Sequence, residues 1–511
     1  MRNVRIPALV LAVIMLVLCF VSCADNGTGS DATTPSVVDS GSSSPAETTN
    51  PVETEDPNYV CDLPDVKFTG STVNMMVDAY RYSADEFFSE GYDGGMVSSA
   101  VYSRNLWIED KLGITLNIMR ATSTSDKEVA EAVKKSVGSA LREIDIATIP
   151  GYRSTTYLKG NFRNLADVPN LNLDKYYWTQ GFNEGMRLGN VQYLSSGAYS
   201  LSMVRGMYVT LYNKDLLVDR QLADPYQMVK DNNWTIASQV ELIKDCYSDL
   251  DGSTTRDATD FYGFVGGAYT TCDPYWVCFN HPFLTVDHAT DQYALHVDND
   301  RFIGIVTAAH DLLFNTDGAF CLSTSSTVPD GSLTTEACAA KFSNGETIMT
   351  TIEISLIEQN VVPSGFSGNY GIVPVPKFNE EQEQYYSHTS DRLTCMVICA
   401  DVPDSELALM GAVMELFASK SYQTVFPSYY ENALSVRYLQ NVESKYMLDL
   451  IYESLRIEPA FLYASRFGML SDFRKMIASG EATAAGLRSY NATWNNAVKV
   501  LNKDFATFGA N

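Results

Sequence analysis

The chain has 511 residues, 45% of them apolar and 11% aromatic, and a formal net charge of −26. That supply of apolar side chains is ample for two lobes with proper cores. The acidic balance weighs against nucleic acid and anionic lipid as partners, and no basic patch with interleaved aromatics relieves it.

The chain opens on a basic pair, Arg2 and Arg5, followed by an uncharged apolar run from Ile6 to Leu18. This run is short for a membrane span and carries the flanks of an export signal. Val21-Ser22-Cys23 then resembles a bacterial lipobox, with Phe20 where that motif usually has Leu. The resemblance implies that residues 1–22 are removed as a lipoprotein signal peptide and that Cys23 is lipidated. The protein is then expected on the extracellular face of the cell membrane. Residues 23–60 are expected to form the lipidated cysteine and a flexible acidic tether, since 24–58 hold no aromatic and no basic residue. With the signal's two arginines and the tether's seven acids set aside, about −21 remains on the body.

The body begins with alternating β and α patterns. Thr72–Val77 predicts a strand. Val97, Val101, Ile108 and Leu112 share one helical face, and Gly113 is placed to end that helix. Ile114–Met119 predicts a second strand. Ser125 and Glu128 read as a capping box ahead of a helix with Val129, Val133 and Val137 in register. Ile144–Ile149 predicts a third strand, broken by Pro150-Gly151. Strand and helix alternating over short links predict a parallel α/β sheet. Ligands of such sheets sit beyond the carboxyl ends of strands, which nominates Asp78-Ala79-Tyr80 and Pro150-Gly151-Tyr152 as site loops. Farther on, Glu406–Ser419 and Glu443–Leu455 carry amphipathic helical spacing, and Leu487–Leu501 reads as a closing helix. Cys395 and Cys399 lie in a β-like run at an even offset, which predicts buried free thiols on one face. Cys272 and Cys278 could close a small loop by a disulfide, which an exported setting allows.

Four segments then look familiar together. They are Val209-Thr-Leu-Tyr-Asn-Lys-Asp-Leu-Leu217, Asn233-Trp234-Thr235, Phe342-Ser-Asn-Gly-Glu-Thr-Ile-Met349 and Tyr370-Gly-Ile-Val-Pro-Val-Pro-Lys377. In this order and spacing they resemble the family 1 extracellular solute-binding proteins that serve ABC importers. Gly94-Gly95-Met96 and Ala198-Tyr199, with Ser428-Tyr429-Tyr430, are similar to a subgroup of that family. The resemblance spans about residues 70–505. It implies two α/β lobes, each a sheet flanked by helices, joined by hinge segments in a type II periplasmic-binding-protein-like fold. If the crossings fall as in the family, lobe one is 61–201 plus 386–457 and lobe two is 202–385 plus 458–511.

Catalytic signatures are missing: there is no GxSxG, no HExxH and no GxxxxGK[ST], and His281 and His288 are poorly spaced for a metal. No cofactor is expected. Asp249, Asp251, Asp257 and Asp260 resemble the subgroup's calcium loop, but Ser253 and Thr254 replace an acidic and a glycine position, so a solvated turn is the better reading and no metal is assigned. Aromatic faces stack on sugar rings, which makes Trp178 and Trp276, in polar turn-rich contexts, candidate ligand contacts. Tyr80 and Tyr152 are candidates from strand-end geometry, and Tyr199 from the resemblance. The family's lobe-two ligand loop corresponds to Thr350–Ser355, which has no aromatic, so Glu353 is the candidate there. These readings predict a non-enzymatic, monomeric receptor that captures a small-molecule solute, an oligosaccharide in the first instance, for ABC transporter permease subunits. A polysaccharide-active surface enzyme, an adhesin or a peptide binder are the alternatives.

Overall fold

The strands, in chain order, begin with β1 (Thr72–Val77), β2 (Thr115–Arg120), β3 (Ile146–Pro150), β4 (Tyr208–Asn213), β5 (Tyr247–Ser248), β6 (Phe261–Gly266) and β7 (Leu284–Asp287). They continue with β8 (Gln292–Leu295), β9 (Ala319–Cys321), β10 (Thr347–Glu353), β11 (Tyr370–Val373), β12 (Ser387–His388), β13 (Thr394–Ile398) and β14 (Leu455–Arg456). The computed structural model describes residues 56–79, 83–92, 94–122, 127–139, 141–153, 160–268, 271–297, 299–322, 331–438 and 442–508. Cys23, Tyr80 and Ser125 lie outside them, as do the signal and most of the tether.

One sheet has the order β13-β3-β1-β2, with β1 parallel to both β2 and β3 and β13 antiparallel to β3. Its three leading strands lie within two residues of the sequence reading. Between β1 and β2 the Met96–Leu112 helix buries Val101, Ile108 and Leu112 and ends at Gly113, whose φ of 70° suits a residue without Cβ. The Glu128–Ser139 helix buries Val129 and Val133. Its Glu128 carboxylate accepts the backbone N–H and hydroxyl of Thr122, both at 2.9 Å, tying the helix start to the end of β2.

The second sheet has the order β11-β4-β10-β6-β5, with β9 added beside β6. Here β4 runs antiparallel to β10 and β11, and β6 is parallel to β10. Trp234 is fully buried, its indole N–H donating to the Pro374 carbonyl at 2.9 Å, and Thr235 forms a capping box with Ser238 that starts the Ile236–Ile243 helix. Both sheets are flanked by helices, giving the two-lobed α/β fold.

Crossing segments meet between the sheets. Met207 pairs with Thr389, and the Ser390 N–H donates to the Gly206 carbonyl at 2.9 Å. Thr389 Oγ1 donates to Met203 O at 2.6 Å, and the Thr394 N–H donates to Ser202 Oγ at 2.9 Å. Gly206 has no room for more: a Cβ there would lie 2.9 Å from Thr389 Oγ1 and 3.0 Å from both Ser202 O and Ser390 Cβ. Buried Glu86 accepts the Ser202 N–H, joining the segment after β1 to the same crossing. A third crossing is the short parallel pair β12–β14.

A second junction is built from side chains. Tyr429, in the Ser428–Tyr438 segment packed on the Met96–Leu112 helix, donates its hydroxyl to Glu358, just beyond β10. Glu358 Oε2 lies 3.6 Å from Arg205 Nε, and the Arg205 guanidinium sits 4.8 Å from the Tyr429 ring centroid. Nearby, the Val442–Glu453 helix packs against β11, with Lys214 paired to Glu443 and Tyr226 edge-on to Tyr446 at 6.2 Å.

The cysteines divide. Cys395 and Cys399 are buried free thiols, while Cys272 and Cys278 form no disulfide and are buried free thiols as well. Cys278 closes a short helix, Tyr275–Cys278, that Cys272 precedes, so hydrogen bonding rather than a covalent link holds this turn.

Candidate functional site

Between the sheets lies a cavity of about 40 Å³. Tyr208 enters it from the start of β4, Asp273 from the loop after β6, Glu353 from the last position of β10, and Leu356 from just beyond. Thr335 and Glu336 project from the Gly331–Ser343 helix. Ser390, Asp391 and Arg392 come from the segment leading into β13, and Phe461 and Arg474 from the Pro459–Leu462 and Met469–Ser479 helices. The lining therefore draws on both sheets and on the crossings between them. A space of this size holds about two or three waters.

The lining is charged. Arg474 donates Nε to Asp273 Oδ1 at 2.7 Å and Nη2 to Asp273 Oδ2 at 2.5 Å, a two-pronged buried pair. Burial pushes the Asp273 carboxyl up, against the pull of Arg474. Burial also pushes Asp391 up to about 6; Arg392 and Arg474 hold it back, while Asp273 and Glu353 repel its charge. Its backbone carbonyl accepts the Tyr152 N–H at 2.9 Å, which fixes the residue against the end of β3. Glu353 is 7% exposed and accepts the Ser355 hydroxyl at 3.3 Å.

The aromatic side of the cavity is a floor. Tyr208 stacks on His388, with centroids 6.2 Å apart and planes 7° apart, and Phe461 meets His388 edge-on at 4.3 Å. Burial pushes His388 down to about 3, so the imidazole is neutral in contact with these rings.

Of the sequence-nominated contacts, Glu353 lines the cavity and Tyr152 stands next to it, half-buried, with the Arg153 guanidinium 5.0 Å from its ring centroid. Trp178 is 1% exposed and donates its indole N–H to Glu415 Oε2 at 3.1 Å in the core beside the first sheet. Tyr199 is fully buried, its hydroxyl donating to the Ser195 carbonyl at 2.8 Å, and Trp178 meets it edge-on at 6.0 Å. Trp276 is also fully buried, packed 4.4 Å from Phe283 and 5.8 Å from Phe461, behind the cavity wall rather than on it. Their large apolar faces were needed for the cores, which is where those three residues went.

Sequence reasoning passed over Tyr208, Asp273, Asp391, Arg392, Phe461 and Arg474. Asp391-Arg392 precede a strand antiparallel to its neighbour, so its amino end, not its carboxyl end, faces the cavity. Tyr208 does the same on β4. An antiparallel assignment for these two strands was the missing signal.

In the acidic loop, Asp249, Asp251 and Asp260 bring carboxylate oxygens within 4.8 Å of one another, and Asp257 falls outside that group. Backbone N–H groups already engage them: Gly252 donates to Asp249 at 2.6 Å, Ser253 to Asp251 at 2.8 Å and Leu250 to Asp260 at 3.1 Å. The arrangement is a turn closed by its own carboxylates.

Comparison with solved structures places this architecture. The galacto-N-biose/lacto-N-biose I-binding protein of the ABC transporter from Bifidobacterium longum is similar at a TM-score of 0.51 and 12% identity, over 86% of this chain and 98% of that one. A cyclo/maltodextrin-binding protein complexed with maltotetraose gives 0.51 and 13%, over 85% and 97%. The maltose–maltodextrin binding protein of Alicyclobacillus acidocaldarius gives 0.50 and 11%, over 83% and 100%. At such identities the likeness is one of fold: a two-lobed, periplasmic-binding-protein-like fold. No protein-family model and no curated protein matches the chain.

Proposed function

We propose that this protein is a lipid-anchored solute receptor that captures a saccharide between its lobes and delivers it to an ABC import permease. The cavity carries this reading, because its wall is assembled from both sheets and their crossings, so a ligand there bridges parts that move relative to one another. The similar structures named above are sugar receptors by their own descriptions, one of them belonging to an ABC transporter, and this supports the saccharide and the permease. Strand membership supports lobes at 61–201 plus 386–457 and at 202–385 plus 458–511, since β1, β2, β3 and β13 share one sheet and β4, β6, β9, β10 and β11 the other. Anchoring at Cys23 on the extracellular face rests on the lipobox resemblance. Among the described residues no helix is long and apolar enough to cross a membrane.

A thermal-shift screen against saccharides should find ligands that raise the melting temperature by mass action. Small-angle scattering with the best of them should show a smaller radius of gyration than without it, because closing contacts form around the ligand. Confirmed saccharide binding with an unchanged radius would contradict capture by closure. Cys23→Ala should release the body into the medium or leave an uncleaved precursor.

A further inference from the structure

We propose that Glu86 is a proton-operated latch at the lobe crossing: with its carboxyl protonated the crossing holds the arrangement described above, and when the proton leaves the crossing loosens. This inference rests on the reading that the lobes move at their crossings, and adds what controls that motion. Glu86 closes the short turn Ala84–Glu86 after β1, and its side chain is fully buried. Its Oε1 accepts the Ser202 N–H, in the Leu201–Arg205 helix that leads into the first crossing. Ser202 is in turn tied to the returning segment: its hydroxyl oxygen accepts the Thr394 N–H at 2.9 Å and lies 2.9 Å from Thr394 Oγ1. One acid from lobe one therefore holds both chains that pass between the sheets.

The second oxygen, Oε2, is buried and has no hydrogen-bond partner among the described residues. A carboxylate cut off from water needs donors on both oxygens or a base pressed against it to stay charged. The buried base beside it is turned elsewhere. Arg104, on the Met96–Leu112 helix, donates to the Glu86 backbone carbonyl at 2.8 Å and to Asn105 Oδ1 and Ser421 Oγ, both at 2.9 Å. Arg205 faces Glu86 from the crossing helix, and its Nε lies 3.6 Å from Glu358 Oε2. The other titratable neighbours are Asp85, exposed and next in the chain, Tyr199 ahead of the crossing helix, and Cys395 on β13. Burial outweighs these influences and raises the Glu86 carboxyl to about 7. Parting Ser202 from Glu86 admits water, which removes the cost of ionisation and favours loss of the proton. A group raised in this way stabilises the held arrangement at low pH, and that contribution is lost as pH rises through about 7.

The test is amide hydrogen exchange, read by mass spectrometry on the detergent-solubilised full chain without ligand and corrected for the intrinsic rate at each pH. Between about pH 5.5 and about pH 8.5, protection of the crossings at 200–207 and 387–394 should fall at least about tenfold, while β1 and β10 keep theirs. Glu86→Gln, neutral at every pH, should hold the crossings protected across the whole range. Thr394→Val keeps the acid but removes a hydroxyl that favours its charged form, so the midpoint should move to higher pH. Crossings equally protected at both ends of the range overturn the latch, as does a loss that Glu86→Gln shares. Should Glu86→Gln fail to fold, the Thr394→Val midpoint decides, and an unmoved one overturns the proposal. Contraction of the parent on binding a saccharide, without any loosening by pH, overturns the latch and leaves capture by closure standing.

Discussion

Two charge clusters span the lobes, one buried and one lining the half-open cavity, and they are satisfied in different ways. At the Arg205–Glu358–Tyr429 junction one acid meets one base, the tyrosine hydroxyl takes the remaining carboxylate oxygen, and its ring covers the guanidinium. In the cavity four acids meet two bases, and Asp391 finds no hydrogen bond among the described residues. Burial costs both clusters desolvation, and in the cavity the Asp273–Arg474 pair recovers part of it. The first joins the lobes through its own partners, and the second lines the cavity. The contrast predicts that substitutions in the first will act on stability, and in the second on binding.

The largest expected effect is at the junction. Glu358→Ala removes the carboxylate that faces the Arg205 guanidinium and accepts the Tyr429 hydroxyl, and should cost about 3 kcal/mol in urea unfolding. A denaturation curve identical to the parent's would erase the distinction between the clusters. Gly206→Ala comes next, at about 1–3 kcal/mol, because the added methyl presses on the backbone of Ser202 and on both residues of the facing crossing. Scattering on this variant sharpens the picture if the lobes also settle at a different separation.

Hydrogen-ion linkage gives a smaller and more distributed effect. Burial raises Glu86, Glu415 and Glu458 to about 7 and Asp391 to about 6, all above their unfolded values. The folded state therefore binds these protons more tightly, and stability should rise as pH falls from about 8 towards about 5. His388 opposes this, because it is depressed to about 3 and the unfolded chain gains its proton below about 6.5. Acids held below their usual range, such as Asp251 and Asp215, withdraw stability at still lower pH. Melting without ligand should therefore peak on the acid side of neutrality; a monotonic loss of stability below pH 7 would mean that these carboxyls are already ionised at no cost. The smallest effect is Asp391→Asn in the absence of ligand, where melting should stay level or rise by up to about 1 kcal/mol as cross-lobe repulsion is removed. A clear drop would make Asp391 a structural residue.

The sequence alone determined what depends on local pattern. The even alternation of β1 and the 3.6-residue spacing of Val101, Ile108 and Leu112 fix which face of each element is apolar, and Gly113 ends a helix in a left-handed conformation that glycine adopts without strain. Glu353 was nominated from the resemblance alone, as the polar residue of a loop without an aromatic, and it lines the cavity. Trp178, Tyr199 and Trp276 were not, because an aromatic ring serves a core and a sugar equally well and only packing decides between them. The rest of the cavity was hidden for a geometric reason. Asp273, Asp391 and Arg474 lie about 80 to 200 residues apart and converge only after two sheets are laid across each other, with β4 and β13 running against their neighbours. Strand direction is set by long-range pairing, whose free energy comes from contacts between distant segments, so tertiary structure alone decided which ends of the strands face the solute.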